Sequence, residues 1–306
     1  MAKYRIAILG VGGVGGYLGG MLIAAGNKDT EIIFIARTQS RDVITHQGLK
    51  LITNGTEKIL HPDIVSDDPK EIGHIDLLIC SVKGYDLETS LLPYESCLDS
   101  TSTILPFLNG VDIAEQVKDM LPNVQVWEGC IYVFARQLEK GVVEQTGSVS
   151  LIFGSADSPA PQLAKVGDLF KAAGINTTVA TDIEAEVWKK FLFISVMATA
   201  TSYFNTSLGQ IRDNPANYAD TKKLLEEASR VAQASGIAIP KDLVEGIAKK
   251  IATLPADATS SMYADFQKKG GKTELESLTG EVIRLAKKVS VPTPVYQKMY
   301  DELKKR

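Results

Sequence analysis

The sequence predicts an α/β fold in which an N-terminal, doubly wound parallel sheet is followed by a C-terminal all-helical domain. Through the first half of the chain, short apolar runs alternate with amphipathic segments. A glycine-rich turn follows the first apolar run, and from about Asp182 onward the pattern is helical almost without interruption. Alternating strands and helices are typical of parallel sheets with helices on both faces. We therefore place the sheet domain at residues 1–181 and the helical domain at residues 182–306.

Several apolar runs in the first half have the length and composition of buried strands. They are Arg5–Leu9, Ile32–Ala36, Leu77–Val82, Thr103–Leu108 and Gln125–Tyr132. Helices are predicted between them at Val14–Ala25 and Ile113–Met120. The alternating segment Gly141–Gly154 has glycines at turn positions, which predicts a hairpin at the edge of the same domain. Asn176–Ala180 is predicted as a last strand.

The second half is predicted to consist of helices. They are Ile183–Tyr203, Ala219–Gly236, Lys241–Leu254, Ser260–Lys268, Glu274–Val289 and Thr293–Lys305. The uncharged run Phe191–Ile211 is long enough to be considered as a membrane span, but its second part is rich in Ser, Thr, Asn and Gln. We therefore expect a buried helix and a turn there instead.

Composition excludes several classes of protein. The chain has 306 residues, a net charge of -4, 44% hydrophobic residues and 23% charged residues, which is typical of a folded domain and not of a disordered chain. The balance of 33 basic against 37 acidic residues argues against general nucleic-acid binding. The cysteines and histidines have neither CxxC nor metal-ligand spacing, so we expect no metal site. With no signal peptide visible, we expect a cytoplasmic protein.

A glycine motif follows the first predicted strand. Residues 10–15 read GVGGVG, which is G-x-G-x-x-G placed between a strand and a helix. In such a motif Gly10 allows a tight turn, Gly12 lets the backbone approach a pyrophosphate, and Gly15 lets helix and strand pack closely. The free amides at the helix N-terminus, those of Gly13 and Val14 included, then hold the phosphates. This predicts a Rossmann-type dinucleotide site; the alternatives are a methyltransferase loop or a simple glycine turn.

The end of the second predicted strand indicates which dinucleotide binds. Residues 35–41 read IARTQSR and contain no carboxylate that could hold a ribose 2′-hydroxyl. Arg37 instead offers a guanidinium, which suits a 2′-phosphate through bidentate, charge-assisted hydrogen bonds. The sequence therefore favours NADP(H) over NAD(H). The alternative is that Arg37 is an ordinary solvated arginine at a strand end.

Further short motifs occur in a fixed order along the chain. They are Ser81-Val82-Lys83, Leu108-Asn109-Gly110, Gly141-Val142-Val143, Trp188-Lys189-Lys190, Ser260-Ser261-Met262, Thr273-Glu274 and Val291-Pro292-Thr293-Pro294. Together with the glycine loop and Arg37, their order and spacing resemble the ketopantoate reductase (2-dehydropantoate 2-reductase) family over nearly the whole chain. The resemblance implies NADPH-dependent reduction of a 2-keto acid to a 2-hydroxy acid. For the type member this is ketopantoate to pantoate, a step in pantothenate synthesis.

Reduction of a ketone needs a group that stabilises negative charge on the oxygen and supplies a proton. No histidine follows His74, so a lysine is the natural candidate in the helical domain. Lys190 lies in an otherwise apolar stretch and follows Trp188 by two positions, which is similar to the context of the family's general-acid lysine. We favour Lys190 over Lys189 as the catalytic residue. The alternative is a helix-end lysine that reaches water.

The resemblance also implies contacts for other residues. Asn109 and Lys83 follow strands, where ligands bind in open α/β sheets, and are expected to contact both cofactor and substrate. A serine, either Ser260 or Ser261, and Glu274 are expected to hold the substrate. Glu274 is also expected to be a catalytic residue beside Lys190, by binding a hydroxyl or pairing with that lysine. The alternatives are a turn at Asn109, a helix N-cap for the serines and a first-turn glutamate for Glu274.

The chain departs from the family on the lysine's own helix. Ile194 and Ala198 stand where the type enzyme has asparagines, and at helical spacing they share a face with Lys190 and Thr201. A more apolar pocket would favour another branched 2-keto acid over ketopantoate, unless a helix bulge lets Ser195 compensate. A non-catalytic NADP(H)-binding or sensing protein is the second hypothesis. The apolar faces of the helical domain would also allow a homodimer.

Overall fold

The computed structural model describes residues 2–268 and 270–306, and it divides into two units. The first unit contains the chain up to Leu108 and Asp112–Ile183. The second contains Glu184–Arg306 and the short segment Asn109–Val111. Within the described residues, no helix has the length and apolar character needed to cross a membrane.

A parallel, six-stranded sheet forms the centre of the first unit. Its strands, in spatial order, are β5 (Ile64–Ser66), β2 (Thr30–Ile35), β1 (Tyr4–Leu9), β6 (Leu77–Cys80), β7 (Thr103–Pro106) and β8 (Gln125–Val126). This is the Rossmann order, in which the chain reverses direction across the sheet between β1 and β6. The predicted fold class is therefore confirmed.

A second sheet of five strands lies in the same unit. Its strands are β3 (Leu49–Thr53), β4 (Thr56–Leu60), β9 (Glu128–Glu139), β10 (Val142–Gly154) and β11 (Thr177–Val179). Strand β10 pairs antiparallel with β9 on one side and parallel with β3 and β11 on the other. The prediction of a hairpin within Gly141–Gly154 was wrong, because that segment is one long strand whose partner is β9.

The helices and turns complete the chain. The first unit contains α1 (Gly13–Ala25), α2 (Thr38–Gln47), α3 (Pro69–Ile72), α4 (Leu87–Leu91), α5 (Ile113–Met120) and α6 (Ala160–Ala172). The helix α7 (Ile183–Phe204) leads into the second unit, which also contains α8 (Leu208–Asp213), α9 (Pro215–Ala234), α10 (Lys241–Thr253), α11 (Ser261–Phe266), α12 (Glu281–Lys288) and α13 (Pro294–Leu303). A π turn at Glu276–Gly280 interrupts the single helix predicted for Glu274–Val289.

Helix α1 packs against both sheets at once. A Cβ added to Gly19 would lie 2.3 Å from the ring of Phe34 in the first sheet. A Cβ added to Gly16 would lie 2.7 Å from Val143 in the second sheet. Neither neighbour could stay in place beside a larger residue, so the glycines of α1 allow one helix to be enclosed between two sheets.

The second unit contains a buried carboxylate that holds its last helix. Glu227 on α9 is buried, and it accepts hydrogen bonds of 3.0 Å from the backbone amides of both Val295 and Tyr296. These amides belong to the first turn of α13, where backbone donors have no partner within the helix. The negative charge also lies at the positive end of the helix dipole. Glu227 therefore joins α9 to α13 through the interior of the unit.

We expect Gly19→Ala to destabilise the protein by about 1–3 kcal/mol, because the added methyl group collides with Phe34. Gly246→Ala is the matched control, since Gly246 also lies inside a helix but a Cβ there meets nothing within 4 Å. This control should stabilise by about 1 kcal/mol through helix propensity. Scanning calorimetry of both variants measures the difference, and equal shifts would contradict the enclosed packing of α1.

Candidate functional site

The glycine loop has the geometry of a phosphate cradle. Gly10 has a φ of +95°, in the region that favours glycine, and a Cβ on Gly15 would lie 2.2 Å from the carbonyl oxygen of Gly10. A Cβ on Gly12, in contrast, would meet nothing within 4 Å. Gly10 and Gly15 are therefore needed for the turn and its packing, whereas the space beside Gly12 is open to an approaching ligand.

The first amides of α1 point to what that ligand is. The helix's own hydrogen bonds begin with the Gly16 amide donating to the Gly12 carbonyl at 2.8 Å, so the amides of Gly13 and Val14 have no partner within the helix. Such amides, together with the helix dipole, favour a phosphate group. The open space beside Gly12 and these donors fit a dinucleotide pyrophosphate.

Strand β9 covers the other side of the glycine loop. A Cβ on Gly13 would lie 2.4 Å from the carbonyl oxygen of Ala135, and Gln137 donates a hydrogen bond of 3.2 Å from Nε2 to the carbonyl of Val11. The sequence indicated only a phosphate-binding role for the loop. The structure adds a second reason for Gly13, namely close contact with the second sheet.

Two arginines near the end of β2 have different partners. Arg37 is exposed and donates a hydrogen bond of 3.3 Å to the hydroxyl of Ser90. Arg41 forms an ion pair of 2.6 Å with Asp67, and this hydrogen bond raises the pKa of the Arg41 guanidinium. The sequence does not reveal this partner, because Asp67 directly follows β5 and lies 26 residues from Arg41 along the chain. Since Arg41 is already paired with a carboxylate, Arg37 is the better donor to an incoming anion.

Lys83 lies at the same edge of the sheet as the glycine loop. The amide of Ser81 donates to the carbonyl of Leu9, and its hydroxyl donates to the carbonyl of Gly10 at 2.9 Å. Lys83 follows two residues later, at the start of a short 3₁₀ turn, and is half-buried. The motif Ser81-Val82-Lys83 is thus attached to the loop at the point where the strand order reverses, which is where ligands bind in such sheets.

The two neighbouring lysines of α7 are in different environments. Lys189 forms an ion pair of 2.6 Å with Glu186 one turn earlier. Lys190 is only 7% exposed, and its Nζ donates a hydrogen bond of 3.0 Å to Oδ1 of Asn109. A buried ammonium group requires polar partners. Lys190 and Asn109, which the sequence singled out separately, are brought together within the second unit.

The predicted substrate residues of the second unit are not equivalent. Ser260 is the N-cap of α11, where its hydroxyl accepts a hydrogen bond of 3.0 Å from the amide of Tyr263. Ser261 is exposed at the first position of that helix. Glu274 is buried and lies two residues before the π turn. The structure therefore gives Ser260 the capping role that the sequence had left as an alternative, and leaves Ser261 accessible.

Helix α7 carries no polar replacement for the missing asparagines. Ala198 is buried and Ile194 is partly buried, on the face that also carries Lys190. The Ser195 hydroxyl is fully buried and lies 3.0 Å from the hydroxyl of Tyr296, whose pKa is raised by burial. Because α7 is a continuous α-helix, no bulge turns Ser195 toward Lys190. The hypothesis that Ser195 compensates is therefore wrong.

Comparison with known families is decisive for the chain as a whole. The family model described as ketopantoate reductase PanE/ApbA matches residues 6–158, and the model of the C-terminal domain of ketopantoate reductase PanE/ApbA matches residues 182–306. This chain belongs to the ketopantoate reductase family. Members of this family are oxidoreductases that use NAD(P)H.

Individual relatives are similar over their full length. The uncharacterized oxidoreductase YkpB of Bacillus subtilis is 27% identical, over 98% of this chain and 97% of its own. The 2-dehydropantoate 2-reductase of Halobacterium salinarum is 26% identical, over 97% of both chains. The crystal structure of 2-dehydropantoate 2-reductase from Porphyromonas gingivalis W83 has a TM-score of 0.85 and 32% identity, and the match covers 98% of this chain and 99% of that one.

For this member of the ketopantoate reductase family, we expect Gly12→Ala to fold with an unchanged melting temperature. Its binding of the dinucleotide should weaken by at least about tenfold, because the methyl group occupies the space that a pyrophosphate would enter. Gly15→Ala is the contrasting variant, whose Cβ collides with the Gly10 carbonyl and should lower stability by about 1–3 kcal/mol. Fluorescence titration with NADPH and thermal melts separate the two effects; wild-type affinity in Gly12→Ala would count against this binding site.

Proposed function

We propose that this protein uses NADPH to reduce a 2-keto acid to the 2-hydroxy acid, with 2-dehydropantoate (ketopantoate) as the substrate and pantothenate biosynthesis as the pathway. The observation that carries the proposal is the buried Lys190, whose Nζ donates to Asn109 at 3.0 Å. An ammonium group held in this way is suited to donate a proton to a reacting oxygen.

Lys190 supplies the proton in this proposal. A bound reduced nicotinamide would supply hydride to the carbonyl carbon. The Lys190 ammonium donates a hydrogen bond to the carbonyl oxygen, stabilises the charge that develops there and transfers its proton to it. Asn109 accepts a second hydrogen bond from the same Nζ and so orients the ammonium. The product is the 2-hydroxy acid.

The remaining site residues hold the substrate. Glu274 is a buried carboxylate that can accept a hydrogen bond from a substrate hydroxyl or pair with Lys190. Ser261 has an exposed hydroxyl that can donate to the substrate carboxylate. Lys83 adds positive charge at the cofactor end of the sheet, where an anionic cofactor and an anionic acid both benefit from it. In this scheme the first unit binds NADPH and the second binds the keto acid.

Two observations bear on the choice of keto acid. The relatives named 2-dehydropantoate 2-reductase, at 26% and 32% identity, support ketopantoate. Ile194 and Ala198 support a less polar, branched 2-keto acid, because neither can hydrogen-bond a substrate hydroxyl. The reaction and the role of Lys190 are the same for both substrates.

We expect Lys190→Ala to lower kcat by on the order of 10²–10⁴, the contribution typical of a positioned general acid. Lys189→Ala is the matched control, since Lys189 is paired with Glu186, and it should keep wild-type kcat. NADPH absorbance reports turnover, with ketopantoate and 3-methyl-2-oxobutanoate offered in parallel. Equal losses of kcat in both variants would refute the assignment of Lys190. A much higher kcat/KM for 3-methyl-2-oxobutanoate than for ketopantoate would identify 3-methyl-2-oxobutanoate as the preferred substrate.

The preference for NADPH is proposed to depend on Arg37. We expect Arg37→Ala to weaken NADPH binding by at least about tenfold and to leave NADH binding unchanged, because only the 2′-phosphate loses its charge-assisted hydrogen bonds. Arg41→Ala should have a much smaller effect, since Arg41 is already paired with Asp67. Titration of each variant with both cofactors tests this. Similar affinities of the wild type for NADPH and NADH would contradict the assignment.

A further inference from the structure

We propose that Thr201 is a positioning residue that fixes the start of α11 and so places Ser261 to bind the carboxylate of the keto acid. The inference rests on the proposed function and extends it to a residue that does not itself contact the substrate. Thr201 is fully buried on α7 and lies on the same helix face as Lys190, three turns further along.

The Thr201 hydroxyl lies in a continuous row of hydrogen bonds. It donates to the backbone carbonyl of Met197 at 2.7 Å, one turn earlier in α7. Its oxygen lies 2.8 Å from the oxygen of Ser260. The Ser260 hydroxyl in turn accepts 3.0 Å from the amide of Tyr263 in the first turn of α11. The row therefore connects the backbone of α7 to the backbone of α11.

The number of hydroxyl protons determines which group donates in each of these hydrogen bonds. Each hydroxyl group has one proton to donate. Because the proton of Thr201 is directed to the Met197 carbonyl, the contact with Ser260 must use the proton of Ser260. Ser260 then has no proton left for a carboxylate, which can only accept hydrogen bonds. Ser260 is therefore excluded as a donor to an anionic substrate for as long as Thr201 is present.

The hydroxyl of Ser261, unlike that of Ser260, still has a proton to donate. It directly follows the cap, is exposed, and its hydroxyl has no hydrogen-bond partner within residues 2–268 and 270–306. Its proton is available to a ligand. Since Ser261 is the first residue of α11, its position depends on the N-cap of that helix. Thr201 holds the N-cap, and in this way it determines where the Ser261 hydroxyl lies.

The segment that precedes the N-cap of α11 is also fixed by hydrogen bonds, in this case to the start of α8. The amides of Gly209 and Leu208 donate to the carbonyls of Ala256 and Ala258 at 2.8 and 2.9 Å. A Cβ on Gly209 would lie 2.7 Å from the Ala256 carbonyl oxygen, so the two segments are in close contact. After these contacts at Ala256 and Ala258, the next contact along the segment is the Thr201–Ser260 hydrogen bond. This hydrogen bond therefore fixes the residue from which α11 begins.

Another buried pair of hydroxyls on α7 provides a matched control. Thr199 lies 2.8 Å from Thr279, and both side chains are fully buried. Thr199 precedes Thr201 by two residues, so it faces the opposite side of α7, toward the π turn. Replacing either threonine by valine removes one buried hydroxyl from the same helix at nearly constant volume. Any difference between the two variants therefore reflects what Thr201 contacts.

The first experiment is a steady-state comparison of Thr201→Val, Thr201→Ser and Thr199→Val. We expect Thr201→Val to raise KM for the keto acid by about tenfold, the effect of one misplaced charge-assisted hydrogen bond, with kcat and the Kd of NADPH nearly unchanged. Thr201→Ser keeps the hydroxyl and should restore wild-type KM. Thr199→Val should also have wild-type KM. The same rise in KM for Thr199→Val, or none for Thr201→Val, would overturn the proposal.

A double-mutant cycle tests whether Thr201 acts through Ser261. In a Ser261→Ala background, Thr201→Val should raise KM no further, because the hydroxyl that it positions is already absent. Additive effects of the two substitutions would show that Thr201 acts by another route, and would refute the proposed positioning. If Thr201→Val does not fold, Ser260→Ala takes its place in the cycle, since it removes the same cap from the other side.

Hydrogen exchange separates this inference from the proposed function. The amides of Tyr263 and Ala264 depend on the cap, and they should exchange about tenfold faster in Thr201→Val but not in Thr199→Val. If the wild type reduces no 2-keto acid, the proposed function fails, and the substrate role of Ser261 fails with it. If the wild type is active but exchange at these amides is the same in both variants, only the role of Thr201 fails.

Discussion

Close contact between α1 and two sheets is the constraint on which the first unit depends. The helix lies against Phe34 of the parallel sheet and Val143 of the second sheet, and side chains larger than hydrogen at Gly16 or Gly19 would occupy the same space as these neighbours. Because helix and sheets are packed at van der Waals distance, the N-terminus of α1 has a fixed position. That N-terminus carries the amides that we propose to hold a phosphate, so the packing of the core and the geometry of the candidate cofactor site are consequences of the same contacts.

This double requirement changes how the glycine motif is interpreted. Gly12 is the position at which glycine leaves space for a ligand, since a Cβ there meets nothing. Gly13 and Gly15 are instead needed by the protein itself, against Ala135 and the Gly10 carbonyl. A glycine motif is usually attributed to ligand binding as a whole. In this fold most of its glycines are also required for packing, which makes the motif a strong indicator of the architecture as well as of the dinucleotide.

In the second unit, buried polar contacts have the corresponding role. Lys190 is held by Asn109, Thr201 by Ser260, and Ser195 by Tyr296, each through a hydrogen bond formed away from water. Such contacts contribute little net stability but cost free energy when one partner is missing, so they favour one arrangement of the helices over others. Helix α7 takes part in all three. Its rotation about its own axis therefore decides which of its polar residues face the candidate site and which face the helical core.

The sequence by itself determined the fold class, the glycine loop, the family and the stretch of α7 that contains the catalytic candidate, because these depend on local periodicity and on motifs along the chain. It did not predict β3, β4 or β5. It could not separate β8 from β9 within Gln125–Tyr132, since the two halves of one apolar run pair with different sheets. It favoured Lys190 over Lys189 only through the resemblance to the family, and it could not separate Ser260 from Ser261. Neighbouring residues of one type have the same local signal, and only long-range contacts, such as those of Lys190 with Asn109 and Ser260 with Thr201, distinguish them. The tertiary structure decided these points because burial and hydrogen-bond partners depend on segments that are far apart in the sequence.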